Sequence, residues 1–390
     1  VAGHAVLEPT ALQALIDALR GRGYRPIGPV LRQGAITLGD LTGVEDIPRG
    51  IGDSQEKGHY RVRERGDDLL FGFAAAAQSA KSVLFPPDEL LWRGRRTEDG
   101  FTVEPAEDDR RPIALIGVRG CDLAAIGIHD TVLLGREAVD AHYAGRRADA
   151  FLVAVTCGSP AGTCFCASMG TGPKPGPGAD LTLTELTDPH RFLVEPGTQA
   201  GEELLAELPT RPATQADLAT ADQVVTDAVA AMGRTMRTDD LHDLLLSSAE
   251  SARWDDVASR CLACTNCTTV CPTCFCTSIE DVSDLTGDLD ERHRVWDSCF
   301  SMEYSRLHGG AVRTWVGSRY RQWLTHKLAT WHDQFDSSGC VGCGRCITWC
   351  PAAIDLTEEV TALRELAAAR ETLAAGSTRG PRRHRAPQEQ

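Results

Sequence analysis

Apolar residues recur at helical spacing through Leu12, Leu15, Ile16 and Leu19, with Thr10 ahead of them and Gly21 and Gly23 behind, so a capped helix opens the chain. The period then shortens. Residues 25–31 and 35–38 read as short strands, and the Gly-, Pro- and Asp-rich stretch 39–58 reads as irregular loop. Two near-continuous apolar runs, 112–118 and 150–155, predict strands buried on both faces, with a helix over 122–134 between them. That is the pattern of an α/β-type core. After the loop-forming stretch 173–178, residues 181–186 and 191–195 suggest a hairpin, and a mostly helical stretch runs from 202 to 260. Further on, 302–335 predicts helix with Trp315, Tyr320, Trp323, Leu324, Leu328 and Trp331 as core candidates. Trp315, Trp323 and Trp331 read as packing rather than as an electron path. Residues 357–375 predict a last helix, and 376–390, rich in Arg, Pro and Gly, a disordered basic tail.

Composition narrows the class. With 390 residues, 42% hydrophobic and 24% charged, the chain is an ordinary globular protein of two or three domains. A formal charge of −15 repels polyanions, so nucleic acid is not an expected partner. No run of about 18 apolar residues suggests a membrane span, and residues 1–8 lack an export pattern. A cytoplasmic protein is expected.

The cysteines carry the chemistry. Eight of the fifteen form two copies of one pattern, Cys261-x2-Cys264-x2-Cys267-x3-Cys271-Pro272 and Cys340-x2-Cys343-x2-Cys346-x3-Cys350-Pro351. Three thiolates on one tight loop meet three irons of one [4Fe–4S] cube, while the fourth points away and serves the other cube. The spacing therefore predicts Cys261, Cys264, Cys267 and Cys350 on one cluster, and Cys340, Cys343, Cys346 and Cys271 on a second. Structural zinc needs only four thiolates and leaves the third cysteine of each run and the duplicated pattern unexplained. The expected fold is thus α+β and multidomain. It comprises an N-terminal α/β domain over 1–205, a helical linker over 206–258, an α-helical ferredoxin domain with two [4Fe–4S] clusters over 259–356, and a C-terminal helix and tail over 357–390.

Seven cysteines remain. Cys121 and Cys157 directly follow the two predicted buried strands, whose ends converge on one edge of an open sheet. With Cys164 and Cys166 they would form a third [4Fe–4S] site, Asp122 being a substitute ligand; the alternative is buried thiols that only pack. Thr163-Cys164-Phe165-Cys166 recurs as Thr273-Cys274-Phe275-Cys276. Cys274, Cys276 and Cys299 are one ligand short of a cube and read as packing around the Cys261 cluster. His59, His129, His142, His293, His308, His326 and His332 are scattered and receive no role.

Gly117-Val118-Arg119-Gly120-Cys121-Asp122, then Cys164-Phe165-Cys166-Ala167-Ser168-Met169-Gly170-Thr171-Gly172-Pro173, then Cys271-Pro272-Thr273-Cys274-Phe275-Cys276 stand in an order that resembles one family over roughly residues 5–356. The chain is similar to the beta (iron–sulfur) subunits of cytosolic NAD(P)-linked [NiFe] hydrogenases of the sulfhydrogenase type, and to the A subunit of anaerobic sulfite reductase. The resemblance implies a relay subunit that moves electrons between a flavoprotein binding NAD(P) and a [NiFe] unit of small and large subunits. Nickel–iron ligation would need widely separated Cys-x2-Cys pairs, and the first 120 residues hold no cysteine. No Gly-x-Gly-x-x-Gly stands between a strand and a helix to seat a dinucleotide. No catalytic residue is expected in this chain. Two rivals stay open: the sulfite-reductase subunit, and a cluster-based redox sensor.

Overall fold

In the computed structural model, described for residues 3–98, 100–106, 111–135 and 138–377, the near-continuous apolar runs become the middle of an eight-stranded mixed sheet. Its order is Thr210–Pro212, Ala5–Leu7, Arg191–Pro196, Leu181–Leu186, Ala150–Val155, Ile113–Arg119, Arg25–Arg32, Ala35–Asp40. The four strands Arg25–Arg32, Ile113–Arg119, Ala150–Val155 and Leu181–Leu186 run parallel, and the flanking pairs are antiparallel. Parallel strands need a crossover, which the helices Gly120–Leu133 and Ala141–Ala148 supply. Leu152, Val153, Ala154 and Val155 are fully buried because layers cover both faces of the sheet. One layer holds the helix Leu12–Gly21 with Leu12, Leu15, Ile16 and Leu19 inside. A short 3-10 turn, Pro9–Ala11, precedes that helix, and Thr10 does not cap it.

The stretch 39–58, expected as loop, holds the strand Ile51–Glu56, which pairs with His59–Glu64. This hairpin reaches the C-terminal part of the chain. Tyr60 stacks on Trp349 with ring centroids 4.9 Å apart, a contact of about 1 kcal/mol. Four helices, Gln199–Glu207, Gln215–Ala231, Leu241–Ser247 and Arg253–Arg260, fill the stretch between the sheet and the first cysteine run. Thr210–Pro212 interrupts them to edge the sheet.

The insertion between the two cysteine runs departs from the α-helical ferredoxin domain expected over 259–356. Thr277–Ser283 and Leu289–Trp296 form a hairpin, and Leu289–Trp296 pairs with Asp88–Thr97 from the N-terminal part. With Gly100–Pro105 they make a second, four-stranded antiparallel sheet. Helix begins only at Val316, so the expected helical start at 302 was too early, and Trp315 is 43% exposed rather than core. The stretch 277–296 is mostly polar and gains its strand character by pairing, and the turn at Gly287, with φ of +72°, closes the hairpin. The last helix spans Leu356–Ser377, and the expected tail lies, from 378 on, outside the described residues. Among the described residues no helix is long and apolar enough to cross a membrane.

Candidate metal centres

Three cavities collect the cysteines. The first is walled by Cys261, Cys264, Cys267 and Cys350, together with Cys346. A second cavity gathers Cys340, Cys343, Cys346 and Cys271. In the third, Cys121, Cys157, Cys164 and Cys166 meet, with Cys343 in the same wall. Each quartet named from spacing or strand ends is thus brought together, including the exchanged fourth members Cys271 and Cys350. Neighbouring cavities share a residue: Cys346 lies between the first and second, Cys343 between the second and third. None of the seven scattered histidines lines these cavities.

The two ferredoxin loops follow one backbone path. Ala263 and Thr265 in the first have φ of +50° and +67°, and Gly342 and Gly344 in the second +64° and +74°. This winding turns backbone amides toward sulfur: Ala263 N–H donates to Cys261 Sγ and Gly342 N–H to Cys340 Sγ, both at 3.4 Å. Such donors favour the thiolate, the form that binds iron. The third site comes from the sheet. One parallel strand, with a register irregularity between Ile116 and Val118, ends at Arg119 just before Cys121, and Val155 ends its neighbour just before Cys157. The loop 161–173 then folds back, with Ala161 N–H donating to Cys164 Sγ at 3.3 Å.

The second loop docks on this third site. Phe165 N–H donates to the Gly342 carbonyl at 2.9 Å and Thr171 Oγ1 to that of Val341 at 2.6 Å. Thr163 and Thr348 share a hydroxyl hydrogen bond at 2.8 Å. Arg345, 1% exposed, grips both carboxylate oxygens of Asp122 at 2.7 and 2.8 Å. Asp122 is therefore committed to Arg345 and is absent from the cavity wall, which corrects its reading as a substitute ligand. The repeated tetrapeptide has a geometric meaning: Thr163–Cys166 touches one side of the second loop, while Thr273 Oγ1 donates to the Gly339 carbonyl at 2.7 Å on another.

Burial pushes the most enclosed thiols away from ionisation. The thiols of Cys166 and Cys340 rise to about 12, and those of Cys121, Cys164 and Cys346 rise well above the usual value, with desolvation the leading cause in each. An iron core bound there would supply the positive charge that reverses this cost. Cys271 is the exception: a hydrogen bond from Cys274 and the nearby Lys327 ammonium hold it well below the usual range. Lys327 Nζ lies 3.2 Å from Cys271 Sγ, 3.2 Å from Thr273 Oγ1, 3.7 Å from Cys274 Sγ and 3.1 Å from the Gly339 carbonyl. A buried ammonium with these partners calls for anionic sulfur beside it.

At the first cavity, Tyr320 Oη and Trp323 Nε1 are buried without a hydrogen-bond partner among the described residues, and both residues stand in the wall. An orphaned O–H and N–H facing four cysteines suit a group with exposed acceptor sulfurs. At the third, Arg119 is held by the carbonyls of Phe71, Phe73 and Thr156 beside the cysteines. Among the described residues no three His, Cys, Asp or Glu side chains converge on a single-ion position. A tetrahedral zinc site needs that convergence, whereas cysteines distributed around the wall of each cavity fit iron–sulfur cores.

Sequence reasoning did not single out Lys327, Lys81 or Arg345. Each is a basic residue whose burial, at 4%, 5% and 1% exposure, only tertiary structure reveals. Cys274 also moves: it lies against Cys271 and Lys327 at the second site rather than by the Cys261 quartet. Cys276 and Cys299 pair with each other, and Cys276 is lowered to about 6 by hydrogen bonding from Cys299 and Tyr304.

Duplicated cysteine runs lining adjoining cavities, beside a sheet-borne quartet, define an iron–sulfur protein of ferredoxin type. Comparison agrees: the 4Fe-4S dicluster domain family matches residues 260–354. Over 327 residues the chain is 30% identical to sulfhydrogenase 2 subunit beta of Pyrococcus furiosus, a match covering 83% of this chain and 94% of that protein. The chain belongs to the family of sulfhydrogenase beta subunits. No solved structure matches it.

Proposed function

We propose that this chain is the electron-relay subunit of a cytoplasmic hydrogenase complex, conducting between a flavoprotein subunit that binds NAD(P) and a [NiFe] unit of small and large subunits. Cys261, Cys264, Cys267 and Cys350 hold one [4Fe–4S] cluster, Cys271, Cys340, Cys343 and Cys346 a second, and Cys121, Cys157, Cys164 and Cys166 a third. The carrying observation is the sharing of Cys346 and Cys343 between successive cavities, because carriers that exchange electrons must adjoin. Bound there, the clusters would supply one-electron carriers with potentials tuned by hydrogen bonds, charge and exposure.

The chain's own part is to ligate, insulate and bias. Residues 1–205 carry the third site, 206–258 serve as a mostly helical linker, 259–356 carry the dicluster, and the helix beyond Leu356 packs against it through Val360 and Leu363. Cys264 is exposed, which makes the first site the one nearest a partner's surface, while the third is buried on all four cysteines. The assignment to a hydrogenase rather than a sulfite reductase rests on the Pyrococcus relative's name.

Anaerobic purification of the complex from its native cells tests this. The expected result is about twelve irons on this chain, three reducible paramagnetic centres, and hydrogen-dependent NAD(P)+ reduction by the complex. Replacing Cys157 and Cys164 by Ser should remove about four irons and one signal. Zinc in the quartets, sirohaem in the complex, or a chain active alone would overturn the reading.

A further inference from the structure

One helical segment serves two of the sites. Tyr320 and Trp323 stand in the wall of the first cavity, and Lys327, four residues beyond Trp323 on the same face, stands in the wall of the second. Here the helix Val316–Thr325 passes into the π-helical turn His326–Thr330, a form that often marks functional positions.

What the segment presents differs between the two walls. Toward the first cavity it offers a neutral phenol and a neutral indole, and no charged side chain lines that wall. Toward the second it offers an ammonium whose partners are two sulfurs, a hydroxyl and a carbonyl, none of them a carboxylate. Lys81 adds a second cation behind Cys274, donating to the carbonyls of Thr269 and Cys274 at 3.2 Å each and lying 3.7 Å from the Trp296 ring centre.

We propose that Lys327 is a potential-setting residue, holding the reduction potential of the site formed by Cys271, Cys340, Cys343 and Cys346 more positive than its ligands alone would give. The inference rests on the cluster reading above. Adding an electron adds negative charge to the site, and a fixed cation at hydrogen-bond distance stabilises the reduced state more than the oxidised one. Burial strengthens the effect because little water screens it.

The test is an EPR-monitored redox titration of the complex carrying Lys327→Gln, Lys327→Arg, Lys81→Gln or Tyr320→Phe. Lys327→Gln should move one cluster's midpoint to a more negative potential, lowering its reduced-to-oxidised ratio at fixed potential at least about tenfold, while the other midpoints stay. Lys327→Arg should restore it. Lys81→Gln should move the same midpoint in the same direction by less, and Tyr320→Phe should move a different one. An unmoved midpoint in Lys327→Gln with its clusters intact, or an equal drift of every midpoint, overturns the proposal. If Lys327→Gln loses that signal altogether, Lys81→Gln decides: an unchanged midpoint there is equally fatal. A wild-type complex without reducible clusters would instead overturn the cluster reading beneath it.

Discussion

Cys261–Cys267 and Cys340–Cys346 share spacing, backbone path and amide-to-sulfur hydrogen bonds, yet they face different surroundings. The first loop lies toward solvent: Cys264 is exposed and Leu262 is 67% exposed. Its left-handed positions are Ala263 and Thr265, which carry side chains where the second loop has glycine. The second lies against the N-terminal domain. A Cβ on Gly342 would stand 2.7 Å from the backbone of Cys166, and one on Gly344 2.5 Å from the carbonyl oxygen of Thr163. Cluster ligation explains the cysteines of both loops, but only docking explains the glycines and Arg345 of the second. Ligand spacing and interface packing are written in different residues of the same seven-residue stretch.

Thiol chemistry should break the comparison most sharply. In iron-free chain at about pH 8, Cys276, lowered to about 6, should alkylate at least about a hundredfold faster than Cys340, pushed up to about 12, with Cys264 also early. Peptide mass spectrometry after iodoacetamide pulses reads the order, and equal rates would refute the contrast. Next comes the docking ion pair. Arg345→Met leaves Asp122 buried without its partner and should cost about 3–5 kcal/mol in denaturant unfolding of the holo chain. The matching change in the first loop, Asn266→Ala, removes a bond to the Trp349 carbonyl and should cost about 1 kcal/mol. Gly344→Ala should cost about 3 kcal/mol through strain and overlap with Thr163. Thr265→Gly, at the same place in the first loop, should change stability by less than about 1 kcal/mol. Comparable losses at Gly344 and Thr265 would erase the distinction drawn here.

Much of the sites was readable because ligand spacing is local. Three thiolates on one loop need neighbours in sequence, so Cys261–Cys267 and Cys340–Cys346 declare themselves. The quartet of Cys121, Cys157, Cys164 and Cys166 was reachable through strand ends, since parallel order brings the C-terminal edges of Ile113–Arg119 and Ala150–Val155 side by side. What stayed hidden depends on distant packing. The strand Leu289–Trp296 has intermediate burial throughout and gains its partner from Asp88–Thr97, so no local apolar run announces it. Lys327 sits among aromatic residues in a helical pattern, where a lysine ordinarily marks the solvent face. Its ammonium is buried because two sulfurs wait for it, and those lie more than fifty residues away.

The sheet built from Asp88–Thr97 and Leu289–Trp296 has a consequence for biosynthesis. At ordinary ribosomal speeds of 5–20 residues per second, roughly 10–40 seconds separate the emergence of the two strands, and for that interval one edge of the earlier hairpin lacks its neighbour. Arg93, Arg95 and Arg96 lie along that edge strand, where like charges discourage pairing with another nascent chain. Closure is thereby deferred: the sheet is completed only after translation has passed its second hairpin.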